Sequence, residues 1–87
     1  MAERRVKVEN EVGLHARPAA LFVQAATKAP MEVTVAKAGD EPVNAKSILS
    51  VIGLDVRQGD EIVVTAEGEG ADTALDDLVA VVSGSSG

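Results

Sequence analysis

The sequence contains no cysteine, tryptophan or tyrosine, and Phe22 is its one aromatic residue. Without cysteine, a disulfide framework, a thiolate metal site and a cysteine nucleophile are all excluded. With a single aromatic ring, stacking on nucleobases or sugars is excluded as a main mode of binding. The core must therefore be built from aliphatic side chains.

The sequence also lacks long apolar runs, and it has no basic residue after Arg57. No run approaches the roughly 20 apolar residues that a membrane span needs, and the first residues lead directly into a strand-like segment rather than a leader. All eight basic residues lie between Arg4 and Arg57, and the net charge is −6. This charge argues against nucleic acid or an anionic membrane as a partner. We expect a cytoplasmic protein that holds any anion at a local site.

The 87 residues are enough for one small domain, which we assign to residues 1–82. The Ser/Gly segment 83–87 is interpreted as a flexible tail, either native or an appended remnant. A chain of this size has a thin core, so a shallow surface site is expected rather than a deep cavity.

Hydrophobic periodicity and turn residues predict four strands and three helices. Strands are predicted over residues 5–9, 31–35, 43–44 and 61–66, and helices over 16–28, 47–54 and 71–82. The order is βαββαβα. Alternating strands need one buried face and amphipathic helices need a sheet to cover, which favours an α+β fold with an antiparallel sheet and its helices on one face.

The segment 13–20, GLHARPAA, is an unusual start for a helix. Pro18 is placed in the first turn, where its missing N–H costs nothing, and neighbouring backbone N–H groups stay free. A helix start normally attracts Asp or Glu, yet the nearby charge is Arg17. Free amides, a guanidinium and the imidazole of His15 together suggest a seat for phosphate.

His15 would add reactivity to that seat. The helix N-terminus and Arg17 both disfavour imidazolium, which keeps one ring nitrogen free as a nucleophile. From the residues alone, an alternative stays open in which His15 caps the helix and Arg17 is a solvated surface residue.

Two motifs resemble one known family. The segment 13–19 is similar to the active-site signature of HPr, the histidine-containing phosphocarrier family of the phosphoenolpyruvate:sugar phosphotransferase system. The segment 43–49, VNAKSIL, resembles the family's segment around a regulatory serine. The resemblance covers residues 3–82 and implies an open-faced β-sandwich, in which a four-stranded antiparallel sheet carries three helices on one face.

The resemblance also implies a function. His15 would accept a phosphoryl group on Nδ1 from Enzyme I, itself charged from phosphoenolpyruvate, and pass it to the IIA components of sugar permeases. Arg17 matches the residue that stabilises the phosphoryl group. The protein would be a cytoplasmic monomer without turnover of its own, and we expect no cofactor and no metal.

Ser47 has two compatible interpretations. Its position predicts an N-cap for the second helix, worth about 1 kcal/mol. By the resemblance it is also a candidate for phosphorylation by an HPr kinase/phosphorylase, which would add negative charge beside the docking surface.

The short second helix holds more apolar residues than one face can bury. We expect Val51 to pack inward. The resemblance places the others on a surface that docks partner proteins, with lysines as a basic rim. The predicted docking residues are Ala16, Ala20, Ile48, Leu49 and Ile52, with Lys28 and Lys46 at the rim.

Two residues depart from the family pattern: Asp55 follows the short helix where Gly is common, and Gln24 stands where Lys is common. Both lower the local positive potential, so docking could be weaker or tuned to another partner.

Three alternative functions remain: a paralogue in a nitrogen- or fructose-linked relay, a regulatory module acting through the Ser47 face, and a true enzyme. The last is least favoured because no second acid–base group and no nucleotide loop accompany His15.

Overall fold

The computed structural model describes residues 2–9 and 16–82, with the backbone alone for Ala16 and Arg17. It has, in order, β1 (Ala2–Lys7), α1 (Ala16–Lys28), β2 (Val33–Lys37), β3 (Val43–Asn44), α2 (Ile48–Gly53), β4 (Glu61–Ala66) and α3 (Ala71–Val82). The predicted βαββαβα order is confirmed. The bounds of β1 and β2 differ from the prediction by two or three residues, and α2 is one residue shorter at each end.

The four strands form one antiparallel sheet in the order β1-β4-β2-β3. Since side chains alternate along a strand, one face collects the apolar residues. On β2 and β4 these include Val33, Val35, Ile62 and Val64, each at most 1% exposed. They share one core cluster with side chains from all three helices. The helices therefore cover one face and leave the other open, which confirms the open-faced α+β sandwich.

Arg4 explains why β1 starts earlier than predicted. It pairs with Val64, which places it in the row of β1 that faces the helices. There its Nη2 lies 3.1 Å from Asp72 Oδ1, and its Nε lies 3.4 Å from Asp76 Oδ1. Both aspartates of α3 thus hold the edge strand, and Asp72, in the first turn, also complements the helix N-terminus.

The helices differ in how firmly they pack. Phe22 of α1 and Leu75 and Leu78 of α3 are completely buried, whereas Val51 is the one buried residue of α2. The short helix lies against α1 and β3. Most of its apolar side chains are therefore left on the surface.

In the described ranges, 2–9 and 16–82, the polar and charged side chains lie at the surface. Within them no polar or charged side chain is fully buried. They contain no helix long and apolar enough to cross a membrane, and no group of three His, Cys, Asp or Glu residues suited to a metal ion.

Candidate functional site

The first feature of the candidate site is the amino-terminal end of the helix that follows the histidine. Residues 10–15, with His15 among them, lie outside the described residues, and α1 begins at Ala16. The first four residues of a helix donate no intrahelical N–H bond, and Pro18 has no N–H at all. The first turn contains no acidic residue. This end of α1 is therefore suited to an anion held next to residue 15.

Ser47 caps α2, as its position predicted. Its backbone is extended, at φ −107° and ψ 114°, and its Oγ accepts a hydrogen bond from Ser50 N at 3.3 Å. The Val51 N–H donates to the Ser47 carbonyl at 3.0 Å, which starts the helical ladder. The N-cap interpretation is confirmed. Phosphorylation of Ser47 stays a prediction.

Four large apolar side chains are exposed on α1 and α2, two helices that pack against each other. We call them the apolar patch: Leu21, Ile48, Leu49 and Ile52, with exposed fractions of 43%, 38%, 80% and 37%. Ala20, from the predicted docking set, is exposed as well, and Val51 packs inward as expected.

Leu21 belongs to the apolar patch but was missing from the predicted docking set. The inward stripe of α1 is formed by Ala19, Phe22 and Ala26, which are at most 1% exposed. Their spacing of three and four residues leaves Leu21 off the stripe. Helical periodicity alone could therefore have assigned Leu21 to the surface.

The two lysines of the predicted rim have different environments. Lys28 is exposed in the last turn of α1. Lys46 is partly buried, and its Nζ donates a hydrogen bond of 2.8 Å to the carbonyl oxygen of Ala29. Its ammonium group is thus held against the backbone that follows α1. Their role as a basic rim stays a prediction.

Asp55, one of the two departures from the family pattern, has φ +55°. This left-handed conformation costs a residue with a Cβ atom free energy, and glycine adopts it freely. The Asp55 carboxylate contacts the Arg57 guanidinium, with Oδ2 3.1 Å from Nη2 and Oδ1 3.4 Å from Nε. Arg57 therefore offsets the negative charge that Asp55 adds. Gln24, the other departure, is exposed on α1.

Replacing Asp55 should show this conformational cost. We expect Asp55→Ala to be less stable than Asp55→Gly by about 1 kcal/mol, since both lose the Arg57 contact and Ala alone keeps a Cβ at positive φ. Urea denaturation followed by circular dichroism measures the difference. Equal stabilities would show that residue 55 does not need the left-handed conformation.

Comparison with known families and proteins gives a consistent result. The family model described as "PTS HPr component phosphorylation site" matches residues 2–83, a span that includes all seven helices and strands. The phosphocarrier protein HPr of Streptomyces coelicolor is 53% identical over 83 residues, covering 95% of this chain and 89% of that protein.

Solved structures agree with the sequence match. A phosphocarrier protein HPr from Bacillus anthracis superposes with a TM-score of 0.87 at 43% identity, covering 93% of this chain and 95% of the other. The Bacillus subtilis catabolite repression protein Crh, described as a domain-swapped dimer, has a TM-score of 0.71 at 44% identity, covering 94% and 93%. One relative is thus described as a dimer, so a monomer stays a prediction for this chain.

Proposed function

Because the chain belongs to the HPr family of phosphocarriers of the phosphotransferase system, we propose that it carries a phosphoryl group on His15. It would receive the group from Enzyme I, charged from phosphoenolpyruvate, and deliver it to IIA components of sugar permeases. We also propose that it does so in the cytoplasm and as a monomer.

One juxtaposition carries the proposal. The family's histidine signature runs directly into α1, and the apolar patch lies on α1 and its neighbour α2. A carrier must present its reactive side chain to two successive proteins, and exposed apolar side chains are typical anchors for such contacts. The residues of the reaction and those of docking would then share one end of the molecule.

The chemistry of the proposed step is a phosphoryl transfer between His15 and a partner protein. The Nδ1 lone pair of neutral His15 forms a bond to phosphorus while the bond between phosphorus and the donor breaks. The donor keeps the electron pair of that bond. The negative phosphoryl oxygens are stabilised by the Arg17 guanidinium and by the backbone N–H groups at the start of α1. The reverse of the same step unloads the carrier onto the acceptor.

The proposal is tested by following the attachment of the phosphoryl group to the protein and its removal. Purified protein is incubated with Enzyme I and phosphoenolpyruvate, and an intact-mass measurement counts the bound phosphoryl groups. We expect one adduct, labile in acid and stable in alkali, which disappears when a IIA protein is added. Absence of an adduct, or an adduct that no IIA protein removes, would overturn the proposal.

A substitution at Leu49 tests the docking of partner proteins without disturbing the fold. It is 80% exposed and lies in the first turn of α2. There an aspartate is electrostatically favourable to the helix, so Leu49→Asp should leave the free energy of unfolding within about 0.5 kcal/mol of wild type. Loss of a central apolar anchor should lower kcat/KM for transfer from Enzyme I about tenfold or more.

The control for Leu49→Asp is Ala38→Asp, which adds the same charge at an exposed turn between β2 and β3. It should transfer at the rate of the wild type. If both variants lose the same activity, the added negative charge is responsible and the docking role of Leu49 is wrong.

A second candidate function is regulation through the Ser47 face, favoured by 44% identity to the Bacillus subtilis HPr-like protein Crh over 94% of this chain. The test is an acid-stable adduct formed with ATP and an HPr kinase. Ser47→Asn is the matched variant, because asparagine caps a helix about as well as serine but offers no hydroxyl. Labelling of Ser47→Asn at the wild-type level would remove this assignment.

A further inference from the structure

The segment that leads into α2 is held by hydrogen bonds that its backbone N–H groups donate. The Ala45 N–H donates to the Val33 carbonyl at 2.9 Å, and the Asn44 side chain accepts from the Lys46 N–H at 2.9 Å. The Ser47 N–H donates to the Asn44 carbonyl at 3.1 Å. These three bonds fix the segment to β2 and to itself. None of them reaches α1.

The Lys46 side chain links this segment to the residue that follows α1. Its Nζ donates to the Ala29 carbonyl at 2.8 Å, in a partly buried position. Ala29 directly follows α1 and is 8% exposed, and its own N–H closes the last turn onto the Ala26 carbonyl at 3.1 Å. Carbonyl groups at a helix C-terminus lack intrahelical partners and lie at the negative end of the helix dipole, so they suit an ammonium donor.

We infer that Lys46 is a positioning residue, whose hydrogen bond to Ala29 sets α2 against α1 and thereby fixes the arrangement of the apolar patch. Three of the four patch residues lie on α2 and one on α1, and Val51 is the one buried side chain of α2 itself. A six-residue helix with one buried side chain has little packing of its own to resist a shift. This role differs from that of a rim cation, which would attract a partner from solution.

The inference rests on the proposed function for its consequence in transfer, but its structural part can be measured without any partner. Lys46→Met keeps the aliphatic stem and removes the donor, Lys46→Arg keeps a long donor, and Lys28→Met removes an exposed lysine from the same predicted rim. In a two-dimensional methyl and amide NMR experiment, Lys46→Met should shift the signals of residues 48–53. It should also speed hydrogen exchange at the Val51 amide about tenfold, with β4 unchanged.

Lys46→Arg and Lys28→Met test whether these effects are specific to the loss of the donor at residue 46. Lys46→Arg should restore most of the α2 signals, and Lys28→Met should leave them at their wild-type positions. Wild-type spectra for α2 in Lys46→Met would overturn the inference. So would exchange that speeds equally in β4, because that result means general destabilisation.

Transfer kinetics separate positioning from charge attraction. Charge attraction between exposed groups is screened by salt, whereas a misplaced docking surface is not. In Lys46→Met we expect KM for Enzyme I to rise about fivefold at both low and high salt, with kcat little changed. The effect of Lys28→Met should fade as salt is added. If the effect of Lys46→Met fades in the same way, Lys46 is a rim charge and the inference is wrong. If wild type takes up no phosphoryl group, the proposed function fails, and the NMR comparison still decides the role of Lys46.

Discussion

His15→Ala is expected to reduce acid-labile phosphoryl uptake from Enzyme I to the detection limit. His15 is the one histidine of the chain, and there is no cysteine that could replace it as a sulfur-centred nucleophile. Serine and threonine would form esters that survive acid, and aspartate and glutamate would form acyl phosphates that alkali destroys. The stability of the adduct therefore identifies the atom type, and the variant identifies the residue. The measurement is intact mass after acid and after alkali treatment.

Arg17 provides the comparison that tests the phosphate seat rather than the nucleophile. Arg17→Met keeps the imidazole and removes the guanidinium, so the adduct should still form. Charge-assisted hydrogen bonds contribute about 1.5–3 kcal/mol, so the rate of uptake should fall roughly 10- to 100-fold. Circular dichroism of both variants checks that they fold. An unchanged rate in Arg17→Met would show that Arg17 does not stabilise the phosphoryl group.

Helices and strands that bury a single face against the core were predictable from sequence. The bounds of α1, β4 and α3 match the periodicity, because each buries one regular face. The start of β1 was not predictable, since it depends on Arg4 facing inward to reach Asp72 and Asp76, about 70 residues away along the chain. A charged residue at an inward position is stabilised there only by tertiary contacts.

The candidate site shows the same limit in its side chains. Motif resemblance assigned Ile48, Leu49 and Ile52 to the surface, where the structure places them. It could not show that the Lys46 ammonium reaches the Ala29 carbonyl, because the two residues lie on different elements. The left-handed conformation of Asp55 was indicated only by the glycine common there in the family, since aspartate itself is compatible with several turn conformations. Local pattern thus predicts which face a residue occupies, and tertiary structure decides what it binds.

Phe22→Ala should destabilise the fold far more than any of the surface substitutions. Phe22 is completely buried and is the largest side chain of a core otherwise made of aliphatic residues. Truncating a buried phenylalanine costs about 3–5 kcal/mol, because transfer free energy is lost and a cavity remains. A chain of this length has a total free energy of unfolding of roughly 4–13 kcal/mol. We expect Phe22→Ala to be partly unfolded at 37 °C, as measured by urea denaturation with far-UV circular dichroism.

Leu21→Ala is the matched control, because it makes a similar truncation at the adjacent position of the same helix. Leu21 is 43% exposed, so its free energy of unfolding should fall by at most about 1 kcal/mol. Its kcat/KM for phosphoryl transfer should nevertheless fall several-fold, since it belongs to the apolar patch. Neighbouring residues in a helix point about 100° apart, so the pair reports the rotation of α1 directly. If Leu21→Ala lost stability and Phe22→Ala lost only transfer, α1 would present the opposite face to the sheet, and the apolar patch would not exist.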